Sequence, residues 1–232
     1  MNKKTIKCFD LDGTLIPTTI PGQFKVQEIL SLMGLNSVDP EIVRKLWGKP
    51  FVEIAQIICH SVGAPDRAQE FIELEHNLDD RHLNLCNDLP QVLRELKKQS
   101  HLAIITSRSK KSFLKLRQIL NFELNIFDFI QTYDDSTYHK PDPRVFVPLL
   151  NWANHLGINP NQITYFGDTV EYDLAAVKGQ PGIEFVGVCS GASKASEFIK
   201  AGAYDLIDIV NNVSGLTQYL SLIYLKNKYI PV

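Results

Sequence analysis

The sequence predicts an α/β protein whose parallel sheet carries helices on both faces, with a small helical bundle inserted after the first strand. From residue 86 onwards, short apolar runs typical of buried strands alternate with stretches of helical periodicity. Such alternation is typical of parallel sheets that are covered on both faces. Between residues 16 and 85, by contrast, helical patterns follow one another without an intervening strand.

The length and charge of the chain narrow the classes of function. With 232 residues, 44% of them hydrophobic, the chain is long enough for one large core or for a core domain and a smaller one. The formal net charge of −2 creates no strong field that would attract nucleic acid or an anionic membrane. The first apolar run is interrupted by Asp10 and Asp12, unlike a signal peptide, and no apolar run is long enough to span a membrane. We therefore expect neither nucleic acid nor a membrane as a partner.

The four cysteines are scattered along the chain and form no C-x-x-C pair. They are Cys8, Cys59, Cys86 and Cys189. This distribution predicts reduced thiols in a cytoplasmic protein, and it argues against a zinc site or a disulfide framework.

The first strand is predicted at residues 5–8, and two carboxylates, Asp10 and Asp12, lie at its end. Like charges this close disfavour each other's ionised form unless a cation or a proton lies between them. An extended backbone would send both side chains in the same direction, toward one metal ion or one reacting group. Gly13 permits a sharp turn after them, which would leave backbone N–H groups free to face an anion.

The inserted segment contains four predicted helices, at residues 21–34, 39–48, 50–63 and 65–83. Asp39 before Pro40 has the pattern of an N-cap with proline at the first helical position. The fourth helix places apolar residues on one face and charges on the other. This amount of helix indicates a bundle and not a crossover between strands.

Helices and strands alternate in the remainder of the chain. Helices are predicted at residues 90–99, 109–120, 145–155, 171–178, 193–200 and 213–224, and strands at 102–105, 129–133, 163–166, 183–188 and 204–207. Pro148 is expected either to kink its helix or to lie in the first turn.

Polar residues follow four of the predicted strands, and the carboxyl ends of parallel strands meet where ligands bind. They are Asp10 and Asp12, then Thr106, Ser107 and Arg108, then Lys140, and finally Asp168, Glu171 and Asp173. Carboxylates for a hard cation, a hydroxyl, a lysine and free backbone amides are the parts that a phosphoryl-transfer site needs.

The stretch Asp-Leu-Asp-Gly-Thr-Leu at residues 10–15 resembles the first motif of the haloacid dehalogenase-like (HAD) phosphohydrolases. Thr106 matches the second motif of that family and Lys140 the third. Gly167-Asp168, with Asp173 five residues after Asp168, matches a variant of the fourth.

The resemblance extends over nearly the whole chain and implies the domain organisation. It implies a Rossmann-like, doubly wound parallel sheet as the HAD core, formed by residues 1–15 and 86–232. It also implies an inserted α-helical cap of the type called C1, formed by residues 16–85. The linkers near residues 15–21 and 86–90 are expected to be its hinges.

The resemblance also implies a mechanism that depends on Mg²⁺. Asp10 would attack phosphorus, and Asp12 would protonate the leaving alkoxide and then activate water. Asp10, the backbone carbonyl of Asp12 and Asp168 would hold the metal ion, and Asp173 or Glu171 would bind it through water or orient the site.

The remaining residues implied by the resemblance would hold the phosphate. They are Gly13, Thr106, Ser107 and Lys140, with Lys140 also keeping the first aspartate ionised. Arg108 is expected to be solvated, although it or Ser107 could add a contact. The acid–base aspartate at position 12 argues for phosphoester hydrolysis or phosphoryl transfer and against dehalogenation.

Three hypotheses about the function of the protein follow from this interpretation. The favoured one is a phosphomonoesterase of the phosphoglycolate phosphatase-like subgroup that acts on a small phosphorylated metabolite. The second is a sugar-phosphate mutase of the β-phosphoglucomutase type, and nucleotidase and pyrophosphatase activities also occur among close relatives. The third is a catalytically silent binding module, which would be expected to have lost one of the motif residues. A response-regulator receiver is excluded by the inserted helices.

The cap is expected to choose the leaving group, because the core residues are all used on phosphate, metal and proton transfer. The turn at residues 47–50 is predicted to lie over the active site, where Lys49 or Arg44 could meet an anionic end of the substrate. The cap residues match no motif, so the sequence identifies neither the substrate nor the oligomeric state.

Overall fold

A parallel sheet forms the centre of the protein. The structure is a computed structural model that describes residues 5–78, 89–120, 124–189, 191–203 and 205–207. Its strands are β1 (Thr5–Phe9), β2 (Ser100–Ile105), β3 (Phe129–Gln131), β4 (Ile163–Gly167), β5 (Glu184–Val188) and β6 (Leu206–Ile207). They pair in the order β3-β2-β1-β4-β5-β6, and every pairing is parallel, which confirms the prediction.

Helices connect the strands. The described α-helices are α1 (Thr19–Leu32), α2 (Pro40–Leu46), α3 (Phe51–Ser61), α4 (Ala68–Asn77), α5 (Leu89–Lys97), α6 (Lys110–Leu120), α7 (Val147–His155), α8 (Ala175–Lys178) and α9 (Ala195–Lys200). The predicted helix at 213–224 and the predicted end of the fourth helix at 79–83 lie outside the described residues.

The side chains of β1 alternate between two cores, one on each face of the sheet. Phe9 packs with residues of α5 and α6, whereas Ile6 and Cys8 pack with residues of α7 and α8. Helices therefore cover both faces, as the doubly wound prediction requires. The strand order reverses between β1 and β4, and in open α/β sheets ligands bind beyond the carboxyl ends of the strands at such a point.

Helices α1 to α4 lie between β1 and β2 in the chain and pack around a core of their own. Its fully buried members are Ile29, Leu30, Val43, Ala55, Ile58, Cys59 and Phe71. Asp39 caps α2 as predicted, since its Oδ1 accepts a hydrogen bond of 2.8 Å from the N–H of Glu41. The domain boundary at residue 85 lies outside the described residues and stays a prediction.

Strand β3 is shorter than predicted, because a 3₁₀ turn begins after Thr132. The Asp135 carboxylate accepts hydrogen bonds from both the N–H and the Oγ1 of Thr132, at 3.0 and 2.6 Å. These bonds satisfy a backbone donor locally, so the chain turns instead of continuing along the sheet.

Two helical predictions also need correction. A 3₁₀ turn at Pro143–Phe146 precedes α7, which places Pro148 in the first turn of α7, where proline is tolerated. The helix predicted at 171–178 is divided into a π-helical turn, Val170–Leu174, and α8.

Three cysteines can be described, and two of them, Cys8 and Cys59, are free thiols. Cys8 and Cys59 are buried, Cys189 is half-buried, and Cys86 lies outside the described residues. Across the described ranges, no helix combines the length and the apolar character needed to cross a membrane.

Candidate active site

The polar residues predicted from the strand ends do converge at one edge of the sheet. Asp10 directly follows β1, Thr106 follows β2, and Asp168 follows β4. Because β1 pairs with both β2 and β4, these three positions lie at neighbouring strand ends. The Asp10 N–H donates a hydrogen bond of 2.8 Å to the carbonyl of Phe166, which ties the end of β1 to that of β4.

Lys140 bridges two buried carboxylates at the centre of this edge. Its Nζ lies 2.8 Å from Asp10 Oδ1 and 2.7 Å from Asp173 Oδ1, and all three residues are at most 5% exposed. Burial alone lowers the pKa of Lys140, but the charges of Asp10 and Asp173 outweigh it and raise the pKa above its usual value. The ammonium therefore stays protonated and points at the Asp10 carboxylate.

Asp173 accepts four hydrogen bonds, which hold it rigidly in place. Its Oδ1 accepts from Lys140 Nζ and, at 3.0 Å, from the Tyr165 hydroxyl. Its Oδ2 accepts from the N–H and the Oγ1 of Thr169, at 3.0 and 2.5 Å. A side chain at Gly167 would lie 2.5 Å from the Asp173 side chain, so the strand end needs glycine at this point. With both oxygens occupied, Asp173 is arranged to orient Lys140.

Asp168 is fully buried, and its two carboxylate oxygens differ in their hydrogen bonding. The N–H of Ala192 donates a hydrogen bond of 2.7 Å to Oδ2, whereas Oδ1 has no hydrogen-bond partner among the described residues. Burial, together with the charges of Asp173 and Asp10, raises the pKa of Asp168 well above its usual value. A buried oxygen left without a donor is costly unless a ligand satisfies it.

The three carboxylates fit a divalent cation. One oxygen each of Asp10, Asp168 and Asp173 lies within 4.8 Å of the others. Burial, with a contribution from Asp173, raises the pKa of Asp10 to about 7 even though Lys140 opposes the shift. A cation would favour the ionised form of Asp10 and would satisfy Asp168 Oδ1. Because the oxygens of Asp173 are already occupied, Asp10 and Asp168 are the better placed ligands.

Asp12 is bound by Arg108, so the expectation that Arg108 is solvated is wrong. Arg108 Nε lies 3.0 Å from Asp12 Oδ2, its Nη2 contacts Oδ1, and its side chain is only 14% exposed. Burial raises the pKa of Asp12, but the charge and hydrogen bonds of Arg108 outweigh burial and lower the pKa below its usual range. Asp12 is therefore ionised in this arrangement.

Gly13 forms the turn after Asp12 as expected, but its N–H group is not free. Gly13 has a φ of 81°, and a Cβ there would lie 2.2 Å from Asp168 Oδ2, so glycine is needed at this position. Its N–H, however, donates a hydrogen bond of 2.7 Å to the carbonyl of Ile16. The expectation that this N–H is free to face an anion is therefore wrong in this conformation.

A cavity of about 650 Å³ opens at this edge of the sheet. It is lined by Asp10 and Asp12, by the residues that follow β2, and by side chains of α1, α3 and α4. The cavity thus brings the predicted core residues Thr106 and Ser107 together with the inserted bundle. Thr106 is buried, and its Oγ1 accepts a hydrogen bond of 3.1 Å from the N–H of Arg108.

The turn at residues 47–50 lies where it was predicted. Trp47, Gly48 and Lys49 line the cavity, and a Cβ at Gly48 would lie 2.6 Å from the Tyr172 ring. The Lys49 ammonium lies 2.8 Å from Glu53 Oε2 and 5.3 Å from the centre of the Tyr172 ring. Its contact with a substrate anion stays a prediction, which the pairing with Glu53 disfavours.

The Arg44 side chain contacts other protein groups and does not face the cavity. Its guanidinium contacts the carbonyl of Ala192 and the carboxylates of Glu41 and Glu197. It is not part of the cavity wall, so the expectation that Arg44 could meet the substrate is wrong in this conformation. Instead it ties α2 of the inserted bundle to the loop that holds Asp168.

The model of one known family, haloacid dehalogenase-like hydrolase, matches residues 8–188 of the chain. The chain belongs to this family. The matched segment contains all four strand ends of the site, so the resemblance seen in the motifs is confirmed. The chain is thus an enzyme of a hydrolase family with an α/β core.

Several curated relatives of this haloacid dehalogenase-like hydrolase are named phosphatases. A phosphoglycolate phosphatase of Aquifex aeolicus (strain VF5) is 26% identical over 212 residues, which are 88% of this chain and 95% of that protein. A pyrophosphatase PpaX of Oceanobacillus iheyensis is 29% identical over 216 residues, which are 89% of this chain and 92% of that protein. These names place the chain among phosphatases of the family.

Solved structures share the fold. A haloacid dehalogenase-like family hydrolase from Streptococcus pneumoniae superimposes with a TM-score of 0.69 at 21% identity, over 94% of this chain and 99% of that chain. A hydrolase from Pseudomonas syringae gives a TM-score of 0.71 at 23% identity, with the same coverage. At these identities the likeness shows the fold alone.

Sequence reasoning missed two residues and one pairing of side chains in the site of this haloacid dehalogenase-like hydrolase. Tyr165 is an inward-facing residue of β4, and nothing in the sequence marks its hydroxyl as a partner of Asp173. Thr169 had a visible signal, since a threonine just before a helix is a typical N-cap, and its side chain does bond the N–H of Asp173 at 3.1 Å. The partnership of Arg108 with Asp12 depends on two loops that are distant in sequence.

Proposed function

We propose that the protein is a Mg²⁺-dependent phosphomonoesterase that acts through an aspartyl-phosphate on Asp10. The observation that carries the proposal is the Asp10 carboxylate, which Lys140 holds at the wall of the cavity, close to the carboxylate of Asp168. The described residues offer no hydrogen-bond partner to Asp168 Oδ1. A nucleophile, a fixed ammonium and a cation site are the parts that transfer of a phosphoryl group requires.

In the first step the free oxygen of Asp10 attacks phosphorus, a new P–O bond forms, and the bond from phosphorus to the leaving oxygen breaks. Lys140 occupies Oδ1, so we assign the attack to Oδ2. Bound by Asp10, Asp168 and the backbone carbonyl of Asp12, Mg²⁺ would neutralise negative charge on the carboxylate and the phosphate. Thr106 and Ser107 would donate hydrogen bonds to phosphoryl oxygens.

Asp12 moves the protons in this proposal. The negative charge of a bound ester would raise the pKa of Asp12 and allow it to carry the proton that the leaving oxygen takes up. In the second step water attacks phosphorus, Asp12 accepts the proton of that water, and Asp10 and inorganic phosphate are released. The ionised form that Arg108 stabilises is the form needed for this second step.

The alternatives have less support. A silent module is disfavoured, because Asp10, Asp12, Lys140 and Asp168 are all present and lie together. A mutase must hold a second phosphate, yet Lys25, Lys49 and Arg108 in the cavity wall are each paired with a carboxylate. Phosphoglycolate and pyrophosphate, which the names of the relatives indicate, would likewise present a second anion to this wall.

Hydrolysis of p-nitrophenyl phosphate tests the proposal. The wild-type protein should be active with Mg²⁺ and inactive with EDTA, and Ca²⁺ should inhibit because it prefers more ligands and longer bonds. Asp10→Asn should lower kcat by several orders of magnitude, since an amide is a very poor nucleophile. Full activity in EDTA, or wild-type kcat in an Asp10→Asn preparation shown to be free of deamidation, would refute the proposal.

A further inference from the structure

The part of the cavity wall that α1, α3 and α4 form carries large apolar side chains beside a few charged ones. Ile20 and Phe24 of α1, Phe51 and Val52 of α3, and Ile72 of α4 contribute to it. Ile20, Phe24 and Val52 are 64%, 72% and 48% exposed, so solvent meets a cluster of large apolar side chains. Exposed apolar patches of this kind usually mark a surface that another apolar group covers.

This apolar wall is continuous with the phosphate end of the site. Asp10, Asp12 and Thr106 line the same cavity as Phe24. A phosphate ester bound at Asp10 would extend its leaving group into this space, because Asp10 itself lines the cavity. The volume of about 650 Å³ is well within the usual range for sites that enclose a whole small molecule.

The lysine and arginine side chains of the described wall are already paired with carboxylates, and His76 Nε2 lies 3.9 Å from Glu75 Oε2. Lys25 Nζ lies 2.7 Å from Glu75 Oε1, the Lys49 ammonium is bonded to Glu53, and Arg108 is bonded to Asp12. Both Lys25 and Glu75 are mostly buried, at 15% and 12% side-chain exposure, so the pair is not easily opened. An anionic group on the substrate would therefore break an existing ion pair or remain unpaired.

We propose that the leaving group of the substrate is uncharged and mainly apolar, such as a medium-chain alkyl alcohol or an aryl alcohol. This inference rests on the proposed phosphomonoesterase function and narrows its substrate class. The apolar wall stabilises such a group by removing its surface from water. The paired charges supply selectivity, because they offer an anionic leaving group no compensation for its lost hydration.

A homologous series of primary alkyl phosphates tests the inference, because the chemistry of the leaving oxygen is constant along it. Each buried methylene is worth about 0.8 kcal/mol, or roughly a fourfold change in kcat/KM. The value for hexyl phosphate should exceed that for ethyl phosphate at least tenfold, with about 200-fold as the limit for complete burial of four methylenes. The analogue of hexyl phosphate whose terminal methyl is replaced by a carboxylate should fall at least tenfold below hexyl phosphate.

A pair of variants locates the effect in the cavity. Phe24→Ala should lower the hexyl-to-ethyl ratio at least threefold, because the ring forms part of the proposed contact surface. Leu32→Ala is the matched control, since Leu32 lies on the same helix, is 60% exposed and is not part of the cavity wall. It should leave the ratio unchanged. A flat series, a faster carboxylate analogue, or equal effects of the two variants would overturn the inference.

Binding of non-hydrolysable alkylphosphonates separates this inference from the proposed function. Calorimetry with Mg²⁺ should show tighter binding of hexylphosphonate than of ethylphosphonate. If esters are hydrolysed without dependence on chain length, the function stands and the inference is wrong. If no ester is hydrolysed but hexylphosphonate binds more tightly, the proposed function is wrong and the apolar site stands. Equal binding without hydrolysis would refute both.

Discussion

Replacement of Asp173 by asparagine should destabilise the protein and slow the reaction, even though Asp173 is arranged to orient Lys140 and not to contact phosphate. The buried carboxylate accepts bonds from Lys140, Tyr165 and Thr169. The amide of asparagine offers only one acceptor oxygen, so buried donors on one side lose their partner, and each costs about 1–3 kcal/mol. Lys140 would also lose one of its two negative neighbours.

Two opposing effects determine how much the free energy of unfolding falls in Asp173→Asn. Breaking a buried ion pair costs about 3–5 kcal/mol, but Lys140 keeps Asp10, and removal of one charge relieves repulsion among the carboxylates. The net loss in the free energy of unfolding should therefore be about 2–4 kcal/mol, which lowers Tm by roughly 5–15 °C for a chain of this length. The value of kcat should fall as well, because Lys140 is no longer fixed against Asp10.

Urea unfolding without added metal measures this loss, with Glu171→Gln as the matched control. Glu171 lies in the same π-helical turn but is exposed, so the same chemical change there should leave stability and kcat unchanged. An Asp173→Asn protein as stable as the wild type would refute the reasoning. A large effect of Glu171→Gln would show instead that Glu171 takes the second acidic role of the fourth motif.

Three further predictions follow from the site. Arg108→Ala should lower kcat about tenfold or more with a smaller change in KM, because Asp12 loses the group that positions it. Arg108→Lys should recover part of this loss in kcat. An unchanged kcat in Arg108→Ala would argue against the positioning role of Arg108. Mg²⁺ at about 100 times its Kd should raise the free energy of unfolding of the wild type by about 2.7 kcal/mol but should not stabilise Asp168→Asn. Equal increases in Tm for the two proteins would mean that the metal binds elsewhere. Gly13→Ala should destabilise by about 2–4 kcal/mol through strain and overlap with Asp168, clearly more than Gly157→Ala, whose Cβ would meet nothing within 4 Å.

The fold and the site were predictable where they depend on local pattern. Residues that directly follow strands, such as Asp10 and Asp168, can be located because parallel strands end at one edge of the sheet. The N-cap at Asp39 could also be predicted from the sequence, because the residue that it contacts, Glu41, lies only two positions away. The inserted bundle was visible as helical periodicity without strands.

The remaining features depend on contacts between distant segments. Arg108 follows β2 and Asp12 follows β1, so their pairing appears only when the two loops are adjacent in space. The N–H of Gly13 was expected to be free, but the chain returns at Ile16 and accepts its hydrogen bond. Pairings such as Lys49 with Glu53 are visible in a helical sequence, yet their position in the wall of the cavity is not.

The central claim is that Asp10 becomes covalently phosphorylated during turnover. Acid quenching of a reaction with Mg²⁺ and an alkyl phosphate, followed by borohydride reduction and peptide mass spectrometry, tests it directly. The reductant converts an acyl phosphate to an alcohol, so the account predicts homoserine at position 10, dependent on substrate and Mg²⁺ and absent from the Asp10→Asn protein. Reduction at another aspartate, or an unmodified Asp10 in a preparation that is turning over substrate, would contradict it.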